Sequence, residues 1–219
     1  MSAPGNGAAS GGPAGGGAAG GGPAGGGAAG GGAAAATGTH AHLDADLRAV
    51  LEAWPAPTLE QEQLRRDYLA HLSAHADASA KAGPPAHFTA SCLVVDEPRE
   101  RVLLTLHRKV GRWLQFGGHI EADDPSVAAA ALREAVEESG LPAGSLHLLP
   151  GPAQLDRHAL GSGFTRCTEH LDLRWIAVAD PGAEPVVSPE SLDVAWWPVD
   201  ALPPDTEQSV HDLVALARR

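Results

Sequence analysis

The chain has 219 residues and a formal charge of −12, with 15 Lys and Arg against 27 Asp and Glu. It offers no run of basic residues to track a phosphate backbone, which disfavours nucleic acid as a partner, while an acidic protein still takes a small phosphate compound where a metal ion supplies local positive charge. No apolar run of about 18 residues is present to span a bilayer and the N-terminus lacks the basic and apolar regions of a secretion signal, so no membrane partner and a cytoplasmic location are expected.

Residues 1–38 are Gly, Ala and Pro with a few small polar residues and no charge, and 11–20 and 21–30 repeat the same decapeptide, GGPAGGGAAG. Without large apolar side chains such a segment cannot offset the entropy of ordering its backbone, which predicts a disordered Gly/Ala-rich tail. Residues 39–85 read as a helical extension. Leu47, Val50, Leu51 and Trp54 recur at helical spacing, Pro55 and Pro57 end that helix, and Thr58 with Gln61 three residues later resembles a capping box opening a second one. This extension is expected to pack against the core or against a second subunit, which leaves a homodimer open.

From Phe88 the texture changes to short apolar runs between turn residues. FTASCLVVD and RVLLTLHRK read as strands around the Glu97-Pro98 turn, and the chain then passes through Trp113–Phe116 into the pair Gly117-Gly118. A helix is expected from about Pro125 to Ser139, with Asp124 as its N-cap and Gly140 as its stop. Further strands are predicted around 146–149, 154–160, 170–178 and 194–199, and a last helix from near Thr206, so that residues 86–219 form a mixed α/β domain. Cys92 and Cys167 stand far apart without a C-x-x-C partner, which indicates neither a disulfide framework nor a structural zinc site, and both are expected to be buried thiols.

The informative stretch is GGHIEADDPSVAAAALREAVEESGL, residues 117–141. On a helix Glu134, Glu137 and Glu138 stand at i, i+3 and i+4, so three like charges share one face and repel. A hard divalent cation relieves that repulsion, since magnesium takes a few carboxylates and leaves its other positions to water and phosphate. Arg133 is placed to hold one carboxylate and keep it ionised. The alternative reading is an ordinary solvated acidic face. The Gly-Gly pair favours the first, because it lets backbone approach a bound ion or phosphate as no residue with a Cβ can.

This stretch resembles the Nudix box, G-x5-E-x7-R-E-U-x-E-E-x-G-U, with U a bulky aliphatic residue. Gly118 matches its first glycine, and Arg133, Glu134, Glu137, Glu138, Gly140 and Leu141 match its second half. Fourteen residues separate Gly118 from Arg133 where the pattern has thirteen. The first acidic position is therefore Asp124 counting forward and Pro125 counting back, with Glu121 or Asp123 as partial replacements, and Ala135 stands where a bulky residue is usual.

The resemblance implies a Nudix-like α/β/α sandwich with a mixed sheet, and hydrolysis of a small nucleotide-like diphosphate substrate, a nucleoside diphosphate linked to another moiety, with Mg2+ or Mn2+. Glu134, Glu137 and Glu138, with the carbonyl of Gly118, would be metal ligands, and one glutamate would serve as base. Arg133 joins them among the catalytic residues. The rivals are a nucleotide-binding sensor without turnover and an isomerase of isoprenoid diphosphates, for which Cys92 is the catalytic candidate. His170, Asp172 and Arg174 alternate along a strand and are candidates to line the substrate pocket, and Arg108 and Lys109 are candidates to meet a phosphate. Of Trp196 and Trp197, alternation places one in the core.

Overall fold

The computed structural model describes residues 39–161, 166–189 and 191–219, so the tail predicted over 1–38 lies outside the described residues. Strand β1 (Ala86–Val95) organises everything else. It runs parallel to β7 (Glu169–Ala179) over ten residue pairs, from Ala86 opposite Glu169 to Val95 opposite Val178. Its other edge is shared by two antiparallel neighbours, β4 (Phe116–His119) along its first half and β2 (Arg101–His107) at its end. The short β3 (Trp113–Leu114) and β8 (Ser191–Pro198) pair with β2, while β5 (Leu146–Leu148) and β6 (Gln154–Ala159) pair with the far edge of β7. The result is a mixed sheet in which β1, β2, β5, β6, β7 and β8 follow the predicted runs, while β3 and β4 form in the stretch leading to Gly117-Gly118 that was not predicted as strand.

Alternation along β1 sorts the two faces. Phe88, Ala90, Cys92 and Val94 enter a core shared with α1 (Ala41–Ala53), α2 (Leu59–Ala74) and α3 (Val127–Ser139). Leu93 and Val95 turn to the other face and pack with Val102, Leu104 and Ile176 under Val210, Leu213 and Val214 of α4 (Gln208–Ala217). Helices on both faces of a mixed sheet make this an α/β/α sandwich.

The helical extension is built into the domain. Leu43, Leu47 and Leu51 recur every four residues on α1 and are fully buried in the core, each worth roughly 2 kcal/mol over exposure. Thr58 caps α2 as expected, its hydroxyl accepting from the Gln61 N–H at 3.2 Å. The reciprocal half of the capping box does not form. The Gln61 amide instead donates to the Leu155 carbonyl at 2.9 Å and accepts from the Leu155 N–H at 2.7 Å. With the Tyr68 hydroxyl on the Asp156 carbonyl at 2.6 Å and the Trp54 indole N–H on the Pro152 carbonyl, the extension satisfies backbone groups on and beside β6, which an edge strand leaves exposed.

The two tryptophans of β8 divide between the faces, and neither is fully buried. Trp196 packs on the α3 side with the Arg101 guanidinium 5.1 Å above its ring, and Trp197 meets Trp113 edge to face on the α4 side. No helix among the described residues is long and apolar enough to cross a membrane.

Candidate active site

The helix of the box begins later than expected. It spans Val127–Ser139, with Ser126 and not Asp124 as its N-cap, the Ser126 hydroxyl accepting from the Ala129 N–H at 3.1 Å. Asp124 is drawn away from the helix end because its carboxylate is engaged elsewhere, by Arg133 and by the Glu121 N–H at 2.8 Å. Gly140 ends the helix in the left-handed region at φ 66, as its position predicts. Ala130, Ala131 and Ala135 form the buried face of α3. Ala135, where a bulky residue is usual in the box, therefore lies at the packed interface, and small side chains there allow helix and sheet to approach closely.

That approach sets the carboxylates against the Gly-Gly pair. The Gly117 N–H donates to the Glu138 carboxylate at 3.3 Å, and a Cβ on Gly118 would lie 2.7 Å from a Glu134 carboxylate oxygen. A Cβ on Gly117 would sit 2.3 Å from that of Ser91 in β1. Gly117 is thus required by its close approach to the neighbouring strand, whereas a Cβ on Gly118 would displace the end of the Glu134 side chain. The three glutamates differ in access. Glu138 is 6% exposed, the Glu134 side chain 14% and that of Glu137 59%.

Arg133 ties these groups together. Its guanidinium donates to both Asp124 oxygens at 2.9 and 3.0 Å, to the His119 carbonyl at 3.0 Å, to Glu134 at 2.9 Å and to Glu137 at 3.2 Å. A guanidinium carries five N–H donors, so these contacts engage all of them. The hydrogen-bonded Asp124 carboxylate raises the Arg133 pKa above its ordinary value, against the opposing effect of burial. Burial works to raise the Asp124 pKa, but the Arg133 guanidinium and the Glu121 N–H outweigh it and hold the carboxyl below its usual range. Glu121 and Asp123 are exposed.

The opposite face of the sheet carries a second polar region. His170, Asp172 and Arg174 share one face of β7, as their alternation predicts. Asp172, only 4% exposed, accepts from Thr89 at 3.0 Å, from Ser91 at 2.7 Å and from Arg174 at 3.0 Å. Arg174, 3% exposed, also reaches Gln154 at 3.1 Å and Asp156 at 2.8 Å. The Asp156 pKa is lowered as well, since hydrogen bonding by His158 and the charge of Arg174 prevail over burial. Arg108 lies in the turn after β2, where it donates to the Pro189 and Ser191 carbonyls at 3.0 and 2.9 Å and ties that turn to the start of β8. Lys109, beside it in the same turn, is exposed.

Sequence reasoning missed the Arg133–Asp124 pairing and the polar partners Thr89, Ser91, Gln154 and Asp156. The signal for the first two was present: His87, Thr89 and Ser91 occupy alternate positions in an otherwise apolar strand. Cys92 is fully buried and its thiol is pushed up to about 12 by desolvation, which makes it a poor proton donor or nucleophile.

Among solved structures, the chain is similar to a NUDIX-family hydrolase of Clostridium perfringens at 25% identity, over 60% of this chain and 93% of that one, with a TM-score of 0.47. It is similar to a MutT NUDIX hydrolase of Burkholderia pseudomallei at 22% identity, over 60% and 97%, with a TM-score of 0.47. An Ap4A hydrolase of C. elegans matches at 16% identity, over 59% and 93%, with a TM-score of 0.48. Among curated proteins none matches this chain. The family assignment rests on the model of the NUDIX domain, which matches residues 85–216 and so spans the whole sheet, the box helix and nearly all of α4. The chain belongs to the Nudix family of pyrophosphohydrolases.

Proposed function

We propose that this protein hydrolyses the diphosphate bond of a nucleoside diphosphate linked to a second moiety, with Mg2+ or Mn2+ as cofactor. The observation that carries this reading is the packing of α3 against Gly117-Gly118, which sets the Glu134 and Glu138 carboxylates against strand backbone while Glu137 remains at the surface. The donor set fits a hard divalent cation, because it consists of carboxylate and carbonyl oxygens without nitrogen or sulfur. Glu134, Glu137, Glu138 and the Gly118 carbonyl would hold it. When bound, such an ion neutralises phosphate charge and makes a coordinated water more acidic.

The chain's own contribution is positioning. Arg133 has its donors committed to protein oxygens, so its part is to fix Glu134 and Glu137 in place, and Asp124 fixes Arg133 in turn. Asp124 thereby fills the first acidic position of the box through the arginine. On the other sheet face, His170 is the candidate of that group to meet the non-phosphate moiety. Asp172 and Arg174 shape the same surface from below, each satisfied by buried partners. Arg108 is assigned to holding the turn after β2 to the start of β8.

The test is a panel of nucleotide sugars, dinucleoside polyphosphates and nucleoside triphosphates, assayed by phosphate release after phosphatase coupling. Activity should vanish with chelator and return with magnesium or manganese, and oxygen-18 water should label a phosphate product. Tight binding of a nucleotide with no hydrolysis under any metal condition would make the protein a sensor instead.

A further inference from the structure

On the sheet face opposite α3, three imidazoles from three strands meet. His87 of β1, His119 of β4 and His170 of β7 have ring centroids 5.1, 5.2 and 5.3 Å apart pairwise. The Nε2 atoms of all three are buried and have no hydrogen-bond partner among the described residues. A buried nitrogen left without a partner costs free energy, so three in one place call for a ligand. Cys167 completes the group, since single donor atoms of His87, His119 and Cys167 all lie within 4.8 Å of one another.

Two further contacts arrange these donors for a metal. His87, fully buried, has its Nδ1 3.2 Å from the Pro84 carbonyl. A carbonyl only accepts, so Nδ1 carries the proton and the Nε2 lone pair is left for an ion, the arrangement in which an outer hydrogen bond fixes a ligand's tautomer. Cys167 is held near by its neighbour, because the Thr168 N–H donates to the Pro85 carbonyl at 2.8 Å.

We propose that His87, His119 and Cys167 bind a zinc-class transition-metal ion whose remaining position is left to water, with the His170 ring packed beside them. Nitrogen and thiolate donors suit zinc, whereas the all-oxygen set on α3 suits magnesium, so the chain carries two metal sites of different chemistry on the two faces of one sheet. Zinc joins β1 and β4 to the segment that leads into β7, and the Cys167 thiol releases its proton to solvent on binding. The cysteine spacing in the sequence indicates no structural zinc site, and this site departs from that reading. C-x-x-C spacing is absent because the ligands come from separate segments. The inference does not depend on the hydrolase reading.

The experiment is cobalt titration of the full chain after chelator treatment, followed by absorption spectroscopy. The expected result is one equivalent of tetrahedral cobalt with a thiolate-to-cobalt charge-transfer band. Cys167→Ser should remove that band, and His119→Ala should weaken cobalt binding by about 100-fold, comparable with the larger losses seen when a metal site's supporting partners are removed. Glu138→Gln should leave the band in place, because the α3 carboxylates contain no sulfur. His87→Ala is avoided, since that residue is fully buried; Cys167 and His119 are partly exposed, and far-ultraviolet circular dichroism verifies their folding. Absence of the charge-transfer band, or its survival in Cys167→Ser, would overturn the proposal.

Discussion

Asp124 accepts two hydrogen bonds from Arg133, at 2.9 and 3.0 Å, and through that guanidinium the loop before α3 is joined to the carboxylates of the helix. The residue is 5% exposed, so the pair is shielded from solvent. Asp124→Ala leaves a largely buried guanidinium without its main partner and should cost on the order of 3 kcal/mol in urea denaturation. Turnover should fall as well, since Glu134 and Glu137 lose a fixed anchor. A variant as stable and active as the parent would show the pairing to be incidental.

The same pair gives a pH dependence. The folded-state pKa of Asp124 lies below its ordinary carboxylate value, so the unfolded chain takes up its proton first as pH falls. Its stabilisation is complete above the unfolded value of about 4 and is lost as pH drops through the lower folded value. The stability difference between parent and Asp124→Ala should therefore be constant from pH 5 to 7 and narrow at more acidic pH. A gap that instead persisted unchanged through acid would mean that the charge of Asp124 is not its source.

Gly118→Ala separates catalysis from folding. The added methyl would meet the Glu134 carboxylate at 2.7–2.8 Å, and the flexible end of that side chain can move aside. Stability should change by less than about 1 kcal/mol while turnover falls on the order of 100-fold, a barrier rise of roughly 2.7 kcal/mol. At Gly117 the obstruction is Ser91 Cβ and Cα at 2.3 and 2.8 Å, atoms that cannot swing away, so Gly117→Ala should cost about 3 kcal/mol of stability. Equal effects of the two substitutions in thermal melts would contradict this distinction.

Glu138→Gln keeps an oxygen for the Gly117 N–H and removes the charge that a divalent cation requires. Turnover should drop by about a thousandfold, roughly 4 kcal/mol in barrier, with the fold intact. Full turnover in this variant would remove Glu138 from the metal-binding set.

Arg174→Ala tests whether the buried network of β6 and β7 is chiefly structural. Removing the guanidinium leaves Asp172 and Asp156 facing one another without their shared cation, and a loss of roughly 3–5 kcal/mol is expected. Unchanged stability with a raised KM would assign Arg174 to direct substrate contact.

The sequence by itself determined what depends on local spacing. Thr58 was legible as a cap because capping needs only residues within one helical turn, and the carboxylates of α3 were legible because i, i+3 and i+4 share a face in any helix. Strand runs such as FTASCLVVD were visible through their apolar content. Tertiary structure decided everything that required two distant segments to meet. Asp124 read as a helix cap because its attraction to Arg133, nine residues on, exists only once the loop folds back on α3. Gln61 read as half of a capping box, yet it serves Leu155, ninety-four positions away. Arg174 had the charge of a phosphate ligand, and only the pairing of β6 with β7 showed its guanidinium enclosed by acceptors. His87, His119 and Cys167 were unreadable as a group, because strands from three parts of the chain bring them together and no spacing in a linear sequence records which strands become neighbours.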